Sequence, residues 1–383
     1  MPSLDDIVQV AESLEKSPVA VIEDRCVSVR NRNSTCRKCV HICQTQAIEV
    51  SANEIHLDAS LCMACGACTS VCPTEALVPL KPTDAELSRA AAKAASMLEG
   101  HAVFACARIS SKHLADPSLY AEVPCLARME ESILLSLVAH GANRATLVDG
   151  VCDTCKYRKC VPSIDETVTF VNELIAAQGG NVRVERVSEF PQVLLADDTR
   201  GLFGSTRRGF FADAAGAAKE TAMAAARTTI EQELGYKPKK ESIGSRLRVT
   251  ESGTMPQLEM PRHDVTINAM DAIGFPVVEC IESRRFASIS IDVAKCNACG
   301  MCAMFCPTGA LKRDETDDVS SDIKQLEFTA CECVQCGLCR DVCWKGALSV
   351  SSEVPADQLF DFDPVVFDLR KANRPKMIGL GRR

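Results

Sequence analysis

Residues 62–73 read CMACGACTSVCP, and residues 296–307 read CNACGMCAMFCP. Both have the spacing C-x2-C-x2-C-x3-C-P, and residues 333–344, CVQCGLCRDVCW, repeat it with Trp344 in place of the proline. In this spacing three thiolates bind one iron–sulfur cube while the fourth reaches a second cube. Zinc ribbons also use C-x2-C pairs, but they need two separated pairs and no third and fourth cysteine at these positions. The three runs therefore predict 4Fe-4S clusters.

The composition points to a protein of reducing compartments that binds metal. The chain has 383 residues, 23 of them cysteine, and that odd number fits disulfide pairing poorly. Neither a secretory signal nor a stretch long enough to cross a bilayer is evident, so we expect a cytoplasmic protein in which clustered thiols bind metal. A net charge of −8 argues against nucleic acid as a partner.

The cysteines form two similar outer groups, at 26–72 and 296–343, and a different group at 106–160. Each outer group resembles the βαββαβ module of bacterial two-cluster ferredoxins, over residues 20–80 and 286–352. Short apolar segments follow the last cysteine of each run, as the strands of that family do. The expected fold is a combination of α+β and α/β, with two dicluster ferredoxin-like modules flanking a central α/β domain.

In that family the ligation is crossed, because each cluster takes three cysteines from one run and a fourth from the other. For the C-terminal module the resemblance implies two ligand sets: Cys296, Cys299, Cys302 and Cys343, and Cys333, Cys336, Cys339 and Cys306. Cys331 is left over, and we interpret it as a bystander thiol rather than a spare ligand.

The N-terminal module departs from this pattern in its first run. Asn33 stands where the first thiol is expected, and Gln44 replaces the proline. Cys26 is the only nearby cysteine, so we expect an insertion to displace the first ligand to it. A three-thiolate site or a 3Fe cluster is the alternative. The expected sets are Cys26, Cys36, Cys39 and Cys72, and Cys62, Cys65, Cys68 and Cys43.

Residues 95–200 alternate apolar strand-like runs, among them 102–106 and 145–148, with helix-like stretches such as 163–177, which predicts an α/β unit. Its cysteines stand at the ends of predicted strands, where loops at carboxyl edges commonly build sites. Residues 104–106, 123–125, 140–142 and 149–157 resemble the delta, or small iron–sulfur, subunit of methyl-viologen-reducing hydrogenases. That resemblance implies a 2Fe-2S cluster held by Cys106, Cys125, Cys152 and either Cys155 or Cys160, although the last cysteines are spaced more closely than in that family. A zinc site and a cluster-free domain are the alternatives.

The remaining segments read as attachments. We expect an N-terminal helix at 1–19, a helical connector at 201–260 and a C-terminal tail at 353–383. The helix either packs on its own domain or docks on a partner, and the tail is interpreted as a segment that orders against a partner.

The sequence contains no glycine-rich dinucleotide motif, no P-loop and no catalytic Ser-His-Asp set, so we assign no catalytic residues. Four 4Fe-4S clusters and an additional 2Fe-2S cluster on one chain predict an electron-relay subunit within a hetero-oligomer. The donor would be a hydrogenase, formate dehydrogenase or flavoprotein, and the acceptor a heterodisulfide-reductase-like protein. Two alternatives remain open: an oxidoreductase with its own cysteine or cluster active site in the central domain, and an iron–sulfur carrier or maturation protein.

Overall fold

The computed structural model describes residues 18–195, 247, 249–250, 254–313, 323–360 and 362–372. The strands are β1 Val19–Val21, β2 Ile48–Ser51, β3 Glu54–Leu57, β4 Leu77–Pro79, β5 His101–Cys106, β6 Ala121–Val123, β7 Arg144–Val148, β8 Val184–Val187, β9 Cys280–Glu282, β10 Ser288–Ile291, β11 Leu311–Arg313, β12 Gln325–Phe328, β13 Leu348–Ser351, β14 Glu353–Pro355 and β15 Val365–Asp368. The helices are α1 Val27–Arg30, α2 Lys38–Ile42, α3 Ala67–Ser70, α4 Asp84–Met97, α5 Ala107–Ser110, α6 Glu131–Ala139, α7 Val161–Ala177, α8 Pro261–Ile273, α9 Met301–Met304, α10 Leu338–Asp341 and α11 Ala356–Phe360. The predicted helix at 1–19 and connector at 201–260 lie almost entirely outside the described residues.

The N-terminal part consists of two short antiparallel strand pairs with small helices between them. Strand β1 pairs with β4, with Val19 opposite Pro79, and β2 pairs with β3, with Ile48 opposite Leu57. Four of the ten buried residues in the core between them are cysteines: Val19, Val29, Ile48, Ile55, Ala76 and Leu77 pack together with Cys26, Cys39, Cys68 and Cys72. So small an apolar core is typical of domains that depend on bound metal for stability.

The C-terminal part repeats this arrangement. Strand β10 pairs antiparallel with β13, and β11 pairs antiparallel with β12, so the order of elements matches that of the N-terminal part. Two further strands extend it: β14 pairs with β9, and β15 adds to the outer edge of β12. Residues 353–360 and 362–368 therefore belong to the folded C-terminal part instead of forming a tail, because Val354 and Leu359 are fully buried there and β15 pairs with β12.

Between these two parts lies a four-stranded parallel sheet in the order β6-β5-β7-β8. Residues 102–105 of β5 are fully buried, as expected for a parallel strand covered on both faces. Helix α4 begins with a capping box, in which the Thr83 hydroxyl accepts from the Glu86 N–H and the Glu86 carboxylate accepts from the Thr83 N–H. The apolar face of α7 is buried through Ile164, Val171 and Leu174.

A buried carboxylate joins the three parts. Glu131, the first residue of α6, is completely buried and pairs with Arg284 and Arg285, which precede β10. The Arg285 Nη2 also donates to the Ser70 carbonyl at 2.9 Å, and the Arg284 Nη2 donates to the Thr167 hydroxyl at 2.7 Å. The two arginines thus contact both the N-terminal part and the central helices.

We expect Glu131→Gln to destabilise the protein by about 3 kcal/mol, because it leaves two partly buried guanidinium groups without their shared counter-charge. The midpoint of urea unfolding of the anaerobic protein measures this. Glu166→Gln is the matched control: that side chain is 69% exposed and 3.8 Å from Arg284, so its loss should cost less than about 0.5 kcal/mol. Equal effects of the two substitutions would contradict the assignment.

The same carboxylate predicts an acid dependence. Burial by itself would raise the pKa of Glu131, but Arg285 and Arg284 outweigh it and lower the pKa from 4.5 to about 2. A lowered pKa means that the stabilisation is complete above the unfolded value of 4.5 and is lost as the pH falls towards about 2. Glu131→Gln should lack this component of acid destabilisation, and unfolding curves at several pH values measure it.

Candidate metal centres

Four cysteines from three segments converge in the N-terminal part, and we name them the first thiol group: Cys26, Cys36, Cys39 and Cys72. Burial raises the pKa of the Cys26 thiol, and the nearby thiols of Cys72 and Cys36 raise it further. Burial likewise raises the pKa of Cys39, to about 12, with added contributions from Cys72, Cys26 and Cys36. The structure therefore brings Cys26 next to the three cysteines with which the sequence analysis grouped it.

The second thiol group consists of Cys62, Cys65, Cys68 and Cys43. The pKa of Cys68 is raised well above its ordinary value, first by burial and then by Cys65, Cys39, Cys62 and Cys43. The pKa of Cys62 is raised by burial and by Cys65 and Cys43. Cys39 of the first group is among the neighbours of Cys68, so the two groups adjoin.

The loops of the three regular runs share an unusual backbone. In each run the residue before the second cysteine and the glycine after that cysteine both have positive φ, near +50° and +70° respectively: Ala64 and Gly66, Ala298 and Gly300, and Gln335 and Gly337. Where residues alternate between right-handed and left-handed backbone conformations, several backbone N–H groups point into one concavity. This arrangement is common at iron–sulfur sites. In the described run 36–44 no residue has positive φ, so this irregular run holds its cysteines differently.

Two further groups occupy the C-terminal part. The third thiol group is Cys296, Cys299, Cys302 and Cys343: burial raises the pKa of Cys302 to about 12, and the other three thiols add to it. The fourth thiol group is Cys333, Cys336, Cys339 and Cys306: burial and the nearby Cys306 raise the pKa of Cys333 to about 12. The neighbours of Cys339 include Cys302, so these two groups adjoin as well.

Backbone N–H groups donate to the last cysteine of each regular run. The Ala76 N–H lies 3.2 Å from the Cys72 sulfur, the Ala347 N–H 3.3 Å from that of Cys343, and the Leu311 N–H 3.5 Å from that of Cys306. Hydrogen bonds to a thiolate stabilise its charged form and help to set the potential of a cluster that it binds.

A fifth thiol group lies at the carboxyl edge of the central sheet. Cys106 ends β5, Cys125 follows β6, and Cys152 and Cys155 follow β7, and all four line one small cavity. Burial raises the pKa of Cys125 to about 12, with contributions from Cys106 and Cys155 among others. The parallel strands bring these residues together because their carboxyl ends meet at one edge.

Cys160 does not line that cavity. It is completely buried and its thiol hydrogen bonds to Cys65, which lowers the pKa of Cys65 to about 6 and raises that of Cys160. The Gln44 Nε2 donates to the Cys160 sulfur at 3.6 Å, and the Gln44 Oε1 accepts from the Lys159 N–H at 3.1 Å. Gln44, which departs from the expected proline, thus connects the N-terminal part to the central part.

The second and fifth groups also adjoin. Cys65 is among the thiols that raise the pKa of Cys125, and the Tyr157 hydroxyl donates to the Met63 carbonyl at 2.7 Å between the two loops.

Another junction joins the first and fourth groups, and sequence spacing gave no sign of it. Cys36 is among the thiols that raise the pKa of Cys336. The Asp341 Oδ2 accepts from the Thr35 N–H at 2.7 Å and from the Thr35 hydroxyl at 2.8 Å. Beneath this contact Val27 packs against Leu338 and Val342. Each thiol group therefore adjoins the next in the order third, fourth, first, second and fifth.

Both ends of this order reach the surface. At one end Cys299 is exposed, and Trp344, which follows Cys343, is 67% exposed. At the other end Cys152 and Cys155 are partly exposed beside Val151, which is 57% exposed.

In the first and third thiol groups the cysteines lie close enough to raise the pKa of one another, as the ligands of one cluster would. Across the described residues, no group of three or more His, Cys, Asp or Glu side chains is placed to hold a metal ion. A cluster of several irons takes one thiolate at each corner, so its ligands stand farther apart than those of one ion. Among the described helices, none is both long and apolar enough to span a membrane.

Comparisons with known proteins agree with this geometry. The family described as 4Fe-4S dicluster domain matches residues 295–347, and the family described as 4Fe-4S binding domain matches residues 55–78. Ferredoxin 7Fe of Hydrogenibacillus schlegelii is 30% identical over 57 residues, which is 15% of this chain and 67% of that ferredoxin. No solved structure shows a significant match. This chain therefore belongs to the ferredoxins, with a 4Fe-4S ferredoxin-type domain towards each end.

Proposed function

We propose that this protein is an electron-relay subunit of a multisubunit oxidoreductase. Ferredoxin-type domains imply electron transfer, and the observation that carries the finer proposal is that each of the five thiol groups adjoins the next. A carrier with independent modules has no need of contacts such as that between Thr35 and Asp341, which bring the first and fourth groups together.

In this proposal the first to fourth thiol groups each hold one 4Fe-4S cluster, which accepts and releases single electrons. The chain supplies the thiolates, the N–H groups that stabilise them and the packing that excludes water. Cys26 serves as the fourth ligand of the first group, because it is buried beside Cys36, Cys39 and Cys72. Cys331 is not a ligand.

For the fifth group we propose a 2Fe-2S cluster held by Cys106, Cys125, Cys152 and Cys155. The resemblance to the hydrogenase delta subunit left Cys155 and Cys160 open as the fourth ligand. The cavity lining favours Cys155, while the Cys160 thiol is engaged by Cys65 and Gln44.

The two exposed ends are the proposed docking points of a donor and an acceptor. The resemblance of the central cysteines favours a hydrogenase, formate dehydrogenase or flavoprotein as donor and a heterodisulfide-reductase-like protein as acceptor. We propose a cytoplasmic hetero-oligomer.

Two alternatives have specific support. The partly exposed Cys152 and Cys155 in a cavity are compatible with an oxidoreductase that has its own active site. The ferredoxin relative is named for seven irons, whereas two 4Fe-4S clusters hold eight. A 3Fe cluster in the N-terminal part is therefore the competing assignment. A carrier protein would instead release its clusters to an apo-protein.

Cys26→Ala tests the ligand assignment. We expect the loss of about one to four of roughly sixteen irons from the ferredoxin-type domains, since a cubane deprived of one thiolate loses an iron or falls apart. Iron analysis and low-temperature EPR of anaerobically purified protein measure this. Cys331→Ala is the control, because that cysteine is equally buried and should leave the iron content unchanged. Native iron content in Cys26→Ala would favour the three-thiolate site.

The relay and the enzyme make opposite predictions for the isolated chain. If the protein is a relay, the chain reduced by viologen should not catalyse the reduction of small disulfides. When an acceptor protein is added, the chain should transfer each electron that it holds once and then stop. Steady-state disulfide reduction by the chain alone, abolished in Cys106→Ala, would establish the enzyme instead. Transfer of clusters to an apo-ferredoxin on mixing would favour the carrier.

Asp341→Ala tests the junction between the two modules. It removes the acceptor of both Thr35 hydrogen bonds, so we expect weaker magnetic interaction between the reduced N-terminal and C-terminal clusters in EPR, with interactions inside each module retained. Asp368→Ala, which removes an exposed carboxylate paired with Arg370, should leave the spectra native. Native protein without any interaction between the modules would contradict the proposed order.

A further inference from the structure

A basic cleft lies where the three parts of the chain meet. Its volume is about 380 Å³, and it is formed by α2, the end of α3, the start of α7 and the segment before β10. One acidic residue, Glu166, also lines it. The basic residues of the lining are Lys38, His41, Lys159, Arg284 and Arg285.

The positive charge of the cleft is only partly balanced. Glu131, behind the lining, pairs with Arg284 and Arg285. Glu130 also lies 3.6 Å from Arg285, and Glu166 lies 3.8 Å from Arg284. Lys38 and Lys159 have no ion-pair partner within the described ranges. The unbalanced positive charge in the lining of the cleft is therefore that of Lys38 and Lys159.

The amino end of α7 points to an anion independently of these charges. This helix has 17 residues, and no side chain caps its first turn, because Cys160 at the N-cap position makes no such hydrogen bond. Ser163, in that first turn, lines the cleft and is only 4% exposed, yet its hydroxyl has no hydrogen-bond partner. Uncapped N–H groups and the helix dipole favour negative charge at this end, and a buried hydroxyl without a partner is rare unless a ligand supplies one.

We propose that this cleft binds a small molecule through a phosphate-type oxyanion. The oxyanion accepts hydrogen bonds from the Ser163 hydroxyl and from first-turn N–H groups of α7 other than Pro162, which has none, and Lys38 and Lys159 supply the balancing charge. The rest of the cleft is large enough for an organic remainder. Binding to this site does not depend on the proposed relay.

A consequence follows if the first thiol group holds a cluster, and this step rests on the proposed function. Lys38 and His41 belong to α2, the helix that carries Cys39, so an anion bound beside them adds negative charge near that cluster. Local negative charge makes a cluster harder to reduce. The ligand would then lower the potential of the N-terminal module.

Calorimetric titration of the anaerobic full-length chain with inorganic phosphate tests the site at constant ionic strength set with chloride. We expect saturable binding, weakened about tenfold in Lys159→Gln and about fivefold in Ser163→Ala, as for the loss of a charged and a neutral hydrogen bond. Lys93→Gln, on the exposed face of α4, is the charge-matched control and should bind like the native chain. Iron content verifies that each variant retains its clusters.

The outcomes test the anion site and its effect on the cluster potential separately. Absence of saturable binding, or equal binding by all variants, overturns the site. Tighter binding of glycerol 3-phosphate than of phosphate identifies an organic ligand, and equal binding identifies the free oxyanion. Binding without a fall in the potential of the N-terminal module, measured by redox titration, overturns the redox consequence alone.

Discussion

The shared ion pair of Glu131 with Arg284 and Arg285 is the contact on which the arrangement of the three parts depends. A fully buried carboxylate is tolerated only where cations and hydrogen bonds compensate its lost hydration. The two arginines that supply this compensation also donate to Ser70 and Thr167, so the C-terminal segment is held against both other parts at once. Arg262 of α8 adds a second link, since its side chain donates to Asp84 and to the Thr69 carbonyl.

This arrangement joins three parts, of which the N-terminal one has only a small apolar core. Four of the ten residues in the N-terminal core are cysteines, and burial and neighbouring thiols raise the pKa of three of them, Cys26, Cys39 and Cys68. Iron reverses that preference, because binding it requires the thiolate. The free energy of cluster binding is thereby coupled to folding. Through the contacts between the modules, a folded part also stabilises the part that it contacts.

Most of the local structure could be predicted from the sequence. The predicted strands at 102–106 and 145–148 and the helix at 163–177 lie within two residues of β5, β7 and α7, because buried strands and amphipathic helices have distinct apolar periods. The segment after 352 was expected to be a tail, but β14 and β15 pair with β9 and β12. Such short strands carry too few residues for a periodic signal, and only their partners define them.

The sequence by itself determined the chemistry, since fixed short spacings within one loop decide which thiols can surround a cluster, and the 4Fe-4S families match at both ends for that reason. Only the tertiary structure decided how the groups relate to one another. The tertiary structure places Cys26 beside Cys72, and Cys36 beside Cys336. It also puts Cys155 instead of Cys160 in the central cavity, and it forms the basic cleft that Ser163 lines from residues distant in the chain. Their proximity results from packing and buried charge compensation, which no spacing along the chain records.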